Sequence, residues 1–315
     1  MSQQNSKRLV VIVGPTAVGK TEYAIELAEA LNGEIISADS RYFYRGMDIG
    51  TAKPDSAQLA RVKHYLIDVA DIKENWSLAL YQRAVNAAIE EITLNGKLPF
   101  LVGGTGQFIR AIIEGWRIPA KAADPEIRLV LEGWIEKIGA EEAHSKLSLI
   151  DPAAAELIDF RNKRRIIRAF EVIFHTGHKF SEQRNKGYVD FEYKIIGLIR
   201  ERKDLFIRID NRIEEMFERG FIKEVEELLS KGYSIQDPPM SAIGYQEVIQ
   251  YIQGSMDLKE CYDRIKKRSH EFVRRQANWF KKSDTRITWF DVAVEQKTEM
   301  IAFIKSEVGW ISDQG

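Results

Sequence analysis

The sequence predicts an α/β fold: a parallel sheet core flanked by helices, with an inserted all-α domain. The first apolar run, Leu9 to Val13, is continuous and β-branched, as expected for a strand buried on both faces of a parallel sheet. Helical segments then alternate with further short apolar runs, which is the element order of layered α/β proteins. Between residues 119 and 188 the helical segments have no convincing strand between them, which indicates an insertion.

The elements follow from periodicity and from the residues that end each segment. Residues 21–31 combine helical spacing with good helix formers, and a helix over 78–94 ends at Asn95-Gly96. Short apolar runs predict strands at 34–38, 65–69, 98–102, 194–199 and 286–290. Helical patterns predict helices at 125–138, 141–149, 153–157, 163–174, 205–219, 222–231, 245–252 and 258–282. The 315 residues suit about two domains, predicted as a catalytic core of 1–118 plus 189–315 and a helical insertion of 119–188.

Composition excludes several classes of protein. The 46 basic and 47 acidic residues give a net charge of −1, which excludes a uniformly basic coat but permits local basic patches. The single cysteine, Cys261, excludes a disulfide framework and a thiolate metal cluster. His175 and His178 lack a third ligand, so no zinc site is expected. The apolar runs are far shorter than the ~20 residues of a membrane span, and the first residues lack signal-peptide anatomy. A cytoplasmic enzyme is therefore expected.

A glycine-rich loop after the first strand carries the strongest motif. Residues 14–21, GPTAVGKT, match G-x-x-x-x-G-K-[ST] at every fixed position, between a strand and a helix. Glycines let backbone N–H groups wrap a phosphate chain, the lysine supplies positive charge, and the threonine hydroxyl can ligate Mg²⁺. The motif predicts a P-loop NTPase-like core that binds a polyphosphate through Gly14, Pro15, Thr16, Ala17, Val18, Gly19, Lys20 and Thr21.

The carboxylate facing this loop is predicted to come from the second strand. The strand at 98–102 ends in glycines 103 and 104 and lacks the aspartate of a Walker B strand. Asp39 follows the strand at 34–38, and an acid at the carboxyl end of a neighbouring strand lies beside the phosphate crevice. Asp39 is thus a candidate for the metal's water shell or for a general base. The alternative role is a helix or turn cap.

Two basic clusters indicate a polyanionic partner. Residues 259–286 carry ten basic and four acidic side chains, with Trp279 and Phe280 among them, and residues 161–168 carry five basic side chains and no acid. Basic and aromatic residues together suit phosphate contact and base stacking. Each cluster taken alone is more typical of a solvated helix face, and the presence of two clusters in one neutral protein makes the two interpretations about equal.

A pair of arginines forms a further candidate. Arg208 and Arg212 share one helix face at spacing i, i+4. One of them could supply the cation that a polyphosphate leaving group needs. A surface ion pair with an acid such as Glu215 is the alternative.

Several motifs together resemble one family, the bacterial-type tRNA dimethylallyltransferases (tRNA isopentenyltransferases). The resemblance covers nearly the whole chain, and YRGMDIGTAKP is its most specific stretch. It rests on GPTAVGKT at 14–21, ADS and YRGMDIGTAKP within 38–54, HYLID at 64–68, LVGGTG at 101–106, ADPEIR at 123–128, RRIIRAFEV at 164–172, SAIGYQE at 241–247 and RRQANWF at 274–280.

The resemblance implies a reaction and its participants. The dimethylallyl group of dimethylallyl diphosphate moves to the exocyclic N6 of the tRNA adenine 3′-adjacent to the anticodon, and diphosphate leaves. Asp39 matches the family's general base. Lys20 and Thr21 match residues that hold the diphosphate with Mg²⁺, and Arg212 matches the diphosphate-stabilising arginine. The enzyme is expected to work as a monomer, without an obligate protein partner.

The resemblance also implies a tRNA-binding surface, and the insertion at 119–188 looks like the family's swinging helical domain. The matching positions are Asp39, Ser40, Arg41, Tyr42, Thr105, Arg128, Arg164, Arg165, Ile166, Ile167, Arg168, Ser241, Ala242, Ile243, Gly244, Tyr245, Gln246, Arg274, Arg275, Gln276, Trp279 and Lys281. Two stretches depart from the family pattern. Tyr42 stands where glutamine is usual, and residues 160–163, FRNK, replace Asn-Asp-Pro.

Other functions also fit parts of the chain. A P-loop kinase for a small molecule would use the phosphate loop, Asp39 and Arg212 but leaves both basic clusters without a role. A nucleotide-gated RNA-binding module leaves Asp39 without a purpose. A transferase acting on free adenine nucleotides would not need the insertion.

Overall fold

A six-stranded sheet forms the centre of the part of the chain that the structure, a computed structural model, describes: residues 7–118, 125–184, 187–294 and 297–309. All neighbouring strands are parallel, and Leu9 to Val13 are fully buried. The predicted doubly buried parallel sheet is therefore confirmed. Its strands are β1 (Lys7–Val13), β2 (Gly33–Ser37), β3 (His64–Tyr65), β4 (Leu98–Gly103), β5 (Phe191–Ile199) and β6 (Ile287–Asp291), in the order β3-β2-β4-β1-β5-β6.

Helices, turns and loops connect these strands. Three helices, at 78–94, 125–138 and 245–252, have the bounds that the sequence predicts. The helices are α1 (Lys20–Ala30), α2 (Ser56–Arg61), α3 (Leu78–Leu94), α4 (Gly106–Ile113), α5 (Pro125–Ile138), α6 (Ala140–Ile150), α7 (Pro152–Leu157), α8 (Lys163–Thr176), α9 (Arg202–Glu218), α10 (Phe221–Ser230), α11 (Tyr245–Ile252), α12 (Leu258–Gln276) and α13 (Lys297–Val308).

The contacts between Cα atoms divide the chain into two units. The first unit, which holds the sheet, comprises Met1–Trp76, Tyr81–Ile109 and Asp190–Gly315. The second, helical unit comprises Ser77–Leu80 and Arg110–Val189. The predicted boundary at 118 and 119 falls at the edge of the described residues, and the division of the sequence at 119–188 stays a prediction.

The third strand is shorter than the sequence predicts. A strand is predicted over 65–69, but β3 ends at Tyr65. Leu66 and Asp68 have positive φ angles of 63° and 55°, which are incompatible with an extended strand. The chain regains a single bridge at Ala70, opposite Tyr44. Tertiary contacts therefore override the local β propensity here.

Helix α12 also differs from its prediction. It ends at Gln276, whereas the predicted helix continues to 282. The N–H groups of Asn278 and Trp279 donate to carbonyls three residues earlier, so the chain tightens into turns after the helix. Helices α2, α4 and α13 are absent from the prediction. Asp55 and Gln58 form a capping box at α2, a sequence signal that the prediction missed.

The helical unit has its own core. Helices α5 to α8 enclose buried apolar side chains that include Ile135, Leu147 and Phe170. Ile166 and Ile167 belong to the same core, with 0% and 5% of their surfaces exposed. These two side chains pack inward and leave little surface for a ligand, and their place in the tRNA-binding set stays a prediction.

Within the described ranges, no helix is both long enough and apolar enough to cross a lipid bilayer.

Gly103→Ala is expected to lower the free energy of unfolding by about 1–3 kcal/mol, because overpacking against rigid backbone cannot relax easily. A Cβ atom on Gly103 would lie 2.3 Å from the carbonyl oxygen of Ala38, on the neighbouring strand end. Urea unfolding measures the change. Gly133→Ala is the control, since a Cβ there meets nothing within 4 Å in helix α5, and it should stabilise by about 0.5–1 kcal/mol. Equal stability of Gly103→Ala and the wild type would contradict the packing argument.

Candidate active site

The phosphate loop joins β1 to α1 at the carboxyl edge of the sheet. The chain takes left-handed conformations at Ala17 and Gly19, with φ of 62° and 106°, and α1 begins at Lys20. The first N–H groups of a helix have no partners within the helix, so they form a binding site for an anion. The local geometry is therefore the one that the sequence motif predicts.

Three cationic side chains converge on this loop. Lys20 Nζ donates to the carbonyl of Pro15 at 2.8 Å, and Arg208 Nε donates to the carbonyl of Ala17 at 2.8 Å. Arg212 approaches from the same helix and donates to the carbonyl of Thr51 at 2.9 Å. Burial lowers the pKa of Lys20 to about 8, which Asp39 opposes and Arg212 reinforces. The excess of positive charge at the loop therefore favours the binding of an anion.

Arg212 does not form the surface ion pair that the sequence left open. Among the described residues its guanidinium has a backbone carbonyl, not Glu215, as its hydrogen-bond partner. The side chain instead lines the two cavities described below.

Asp39 lies at the same edge of the sheet as the loop. It follows β2, which pairs with β4, and β4 pairs with β1. One carboxylate oxygen, Oδ1, accepts a hydrogen bond from Arg41 N at 3.0 Å. Asp39 therefore caps a turn, as the alternative reading of the sequence has it, and it also faces the space beside Lys20.

Two cavities meet at three of these residues. The first has a volume of about 380 Å³ and is lined by the phosphate loop and polar residues of α9. The second has a volume of about 490 Å³. Both are lined by Thr16, Asp39 and Arg212. A carboxylate and a guanidinium therefore stand between a phosphate-binding space and a second ligand space.

The second cavity has largely apolar walls. Helices α9 and α12 supply much of the lining. The sequence patterns had indicated a pair of arginines and a basic cluster on these helices but no apolar wall. Residues 104–107, Phe221 of α10 and the segments 39–41, 50–51 and 242–244 complete the enclosure. The apolar lining side chains include Ile209, Ile213, Met216, Phe217, Phe221, Ile265, Phe272 and Trp279, beside the polar Arg275 and Gln276. Such a space suits a flat heteroaromatic ring.

Gln276 ties the loops on the two sides of the site together. Its Oε1 accepts a hydrogen bond from Thr16 N at 2.8 Å, and its Nε2 donates to the carbonyl of Gly104 at 3.2 Å. The sequence motif placed Gln276 among the tRNA-binding residues but gave no sign of this link.

The residues that follow Asp39 have distinct surroundings. Ser40 N donates to Thr105 Oγ1 at 3.4 Å, and Arg41 Nη1 donates to the carbonyl of Pro239 at 3.4 Å. Both Arg41 and Thr105 line the second cavity. They therefore form part of the wall of this cavity.

Tyr42, which replaces the family's usual glutamine, lines the first cavity. Its hydroxyl donates to the carbonyl of Ala52 at 2.9 Å and also interacts with the Thr21 side chain. Burial raises the pKa of Tyr42 well above its usual range, and Asp39 acts in the same direction. The hydroxyl thus stays protonated beside the phosphate loop.

The segment 241–246 is only partly at the site. Ala242, Ile243 and Gly244 line the second cavity, whereas Ser241 Oγ donates to a nearby backbone carbonyl. Tyr245 is fully buried, and Gln246 Oε1 accepts from Arg268 on α12. Tyr245 and Gln246 therefore do not line the cavity, and they contribute to the packing around it.

The predicted basic residues at the end of α12 differ in their surroundings. Arg274 lies over the Phe206 ring, with its guanidinium carbon 5.6 Å from the centroid. Arg275 lines the second cavity, and Lys281 is exposed beyond the end of the helix.

In the helical unit, Glu171 holds two of the predicted arginines. Its carboxylate accepts from Arg128 and from Arg168, each at 3.2 Å, and is 2% exposed. Arg164 is exposed and Arg165 is partly buried. Arg128 and Arg168 are therefore held in ion pairs, and Arg165 donates to the carbonyl of Leu157 at 3.4 Å.

Raising the pH should weaken the binding of inorganic diphosphate, because Lys20 with a pKa of about 8 is charged below that pH and neutral above it. The dissociation constant should rise up to about tenfold per pH unit above 8. Calorimetry from pH 6.5 to 9.5 measures it. Lys20→Gln is the control, since the ratio of the two constants cancels the titration of diphosphate itself. A ratio independent of pH would contradict the assignment.

Comparisons with known proteins identify the family. The family model for IPP transferase matches residues 42–283. The tRNA dimethylallyltransferase of Roseiflexus sp. (strain RS-1) is 48% identical over 274 residues, 87% of this chain and 90% of that protein. That of Bacillus cytotoxicus is 40% identical over 313 residues, 98% of each.

Solved structures agree. The tRNA isopentenylpyrophosphate transferase of Bacillus halodurans has a TM-score of 0.72 at 40% identity, covering 96% of this chain and 97% of that one. A eukaryotic dimethylallyltransferase acting on tRNA has a TM-score of 0.82 at 25% identity, covering 98% and 81%. The sheet and loop described above therefore form a P-loop NTPase-like core, and the chain belongs to the IPP transferase family.

Proposed function

We propose that this chain transfers a dimethylallyl group from dimethylallyl diphosphate to the exocyclic N6 of the adenine 3′-adjacent to the anticodon of tRNA, releasing diphosphate. One observation carries the proposal: the cavity lined by the phosphate loop and the apolar cavity meet at Thr16, Asp39 and Arg212. An alkyl transfer from a diphosphate to a base needs this arrangement, with both substrates in line at one point. Family membership supports it.

The diphosphate is assigned to the first cavity. Backbone N–H groups at the start of α1 and the cations Lys20 and Arg208 surround the space. Charge grows on the leaving diphosphate as its bond to carbon breaks, so these groups act most strongly in the transition state. Arg212 contributes at the junction, next to the bond that breaks.

Mg²⁺ is proposed as the cofactor. The described residues contain no group of three or more His, Cys, Asp or Glu side chains that could hold a metal, whereas Thr21 and Asp39 line the first cavity. A few oxygen ligands suit Mg²⁺, which keeps waters and binds substrate phosphates. The ion would neutralise the diphosphate, and Thr21 would supply its protein hydroxyl.

The adenine is assigned to the second cavity. Its apolar and aromatic walls suit a base, and the ring must leave its stack in the tRNA to enter. The N6 amine is a weak nucleophile because its lone pair is delocalised into the ring. Asp39 accepts the N6 proton as nitrogen bonds to the allylic carbon, and the carbon–oxygen bond electrons leave with the diphosphate.

The tRNA itself is proposed to contact the basic side chains outside the cavities. Arg275 lines the second cavity, and Lys281 follows the end of α12. On the helical unit, the basic side chains are Arg128, Arg164 and Arg168. Contacts with phosphates position the RNA without reading its sequence. A monomer in the cytoplasm, where tRNA is used, is the proposed working form.

The direct test is incubation of the purified chain with dimethylallyl diphosphate, Mg²⁺ and unmodified tRNA, followed by mass analysis of the nucleosides. An adenosine carrying one dimethylallyl group is expected, with release of diphosphate in equal amount. Parallel reactions replace dimethylallyl diphosphate by ATP, or tRNA by AMP. No mass gain on tRNA adenosine would overturn the proposal, and transfer to AMP with equal efficiency would redirect it to free nucleotides.

Asp39→Asn should reduce the rate of transfer by about 10²–10⁴-fold, the usual contribution of a general base, and Asp39→Ala should abolish transfer. Affinity for tRNA should remain within about twofold, because the amide keeps the shape of the carboxylate. Single-turnover kinetics and filter binding measure the two quantities. Glu218→Gln, at the exposed end of α9, is the control for lost charge. A loss of tRNA affinity as large as the loss of rate would refute the base assignment.

A further inference from the structure

The loop at 48–52 forms a wall shared by the two cavities. Gly50 and Thr51 line the second cavity, and Ala52 lines the first. The carbonyl of Thr51 accepts from Arg212, and the carbonyl of Ala52 accepts from Tyr42. The orientation of these two carbonyls therefore determines where the Arg212 guanidinium and the Tyr42 hydroxyl lie.

A carboxylate that lines neither cavity holds this loop. Glu224, in the first turn of α10, accepts hydrogen bonds from three consecutive backbone N–H groups. The distances are 3.0 Å from Asp48 N, 2.6 Å from Ile49 N and 3.2 Å from Gly50 N. A concavity of successive N–H groups favours an anion, and hydrogen bonds to an ionised acceptor are the strong ones.

Two aromatic side chains fix Glu224 and the loop against each other. The Tyr245 hydroxyl donates to Glu224 Oε1 at 2.5 Å. A Cβ atom on Gly50 would lie 2.1 Å from the Phe221 ring and 2.6 Å from the Tyr245 ring, so only glycine allows this approach. The loop is packed directly on α10 and α11, with no room for an alternative position on that side.

The other side of the loop is held as well. Lys53, 7% exposed, donates to Asp48 Oδ1 at 2.6 Å, to Asp68 Oδ1 at 2.5 Å and to the carbonyl of Tyr44 at 2.9 Å. Its ammonium thus holds the first residue of the loop. Glu224 accepts hydrogen bonds from the N–H groups of this residue and the two that follow it. The next two residues supply the carbonyls that accept from Arg212 and Tyr42.

We infer that Glu224 is a positioning residue for the leaving-group cation: it fixes the loop at 48–52 so that the Thr51 carbonyl holds the Arg212 guanidinium between the two cavities. The inference rests on the proposed function for its kinetic consequences. A neutral amide at this position retains one acceptor oxygen and brings an NH₂ group against backbone donors, so it cannot keep all three N–H contacts.

The test is a double-mutant cycle of Glu224→Gln and Arg212→Ala. Arg212→Ala should lower kcat by about 10²-fold or more, as for removal of a transition-state donor. Glu224→Gln should lower kcat by about tenfold in the wild-type background, since small misplacements of catalytic groups cost up to about 10²-fold. In the Arg212→Ala background its effect should shrink to less than about twofold, because residues that act through one another are not additive.

The change should fall on kcat more than on the KM for dimethylallyl diphosphate, because Arg212 acts mainly on charge that develops during the reaction. Glu226→Gln is the matched control: this carboxylate is exposed on the same helix and should leave kcat unchanged. An equal reduction by Glu224→Gln in both backgrounds would overturn the inference, as would no reduction in the wild-type background.

A second readout separates this inference from the proposed function. Binding of inorganic diphosphate, measured by calorimetry, should weaken with Glu224→Gln only when Arg212 is present. If the wild type makes no dimethylallyl-adenosine, the proposed function fails, and this binding cycle still decides whether Glu224 acts through Arg212.

If Glu224→Gln does not fold, Tyr245→Phe replaces it, with an expected reduction of kcat by about two- to fivefold from one lost hydrogen bond. Equal effects of Tyr245→Phe in both backgrounds would also overturn the inference.

Discussion

The constraint on which the site depends is that Asp39 and Arg212 must face one point from different elements. The sheet places Asp39, because the pairing of β2 with β4 and of β4 with β1 brings the strand ends together. A loop carbonyl places Arg212, through Thr51. The pairing of parallel strands thus fixes the position of Asp39. The loop at 48–52, which donates three hydrogen bonds to Glu224, fixes the position of Arg212. The proposed alkyl transfer uses both, since the amine that loses its proton and the diphosphate that leaves lie on opposite sides of one carbon.

The contrast between the two cavities follows from the same placement. Backbone N–H groups and cations make the first cavity a site for a polyanion, whereas apolar walls from α9 and α12 make the second a site for a ring. Asp39 provides negative charge beside Lys20 and so opposes the burial that lowers the pKa of this lysine. A bound diphosphate would supply far more of that charge. The loop is therefore prepared for its ligand by electrostatics as well as by shape.

Local signals were sufficient for the parallel sheet, the phosphate loop and most helices, because periodicity and glycine positions are properties of short segments. They were insufficient where distant residues decide. Asp68 N donates to the carbonyl of Tyr42, and the Asp68 carboxylate binds Lys53, so the chain leaves the predicted strand after Tyr65. Glu224 reads in sequence as one acid of an amphipathic helix. Its partners lie 174 to 176 residues away, beyond any short-range pattern.

The ion pairs of α12 show how a basic segment is balanced in a protein with a net charge near zero. Arg264 binds Glu260, Lys266 binds Asp210 and Glu214, and Arg268 binds the buried Glu247. Among the described residues, Arg275 and Lys281 form no such pair, and they lie near Trp279 at the end of the helix. The acids of these pairs belong to α9, α11 and α12 itself, so part of the local basic excess is structural. The exposed Arg275 lines the apolar cavity without such a pair, and a charge without a partner contributes strongly to the local field.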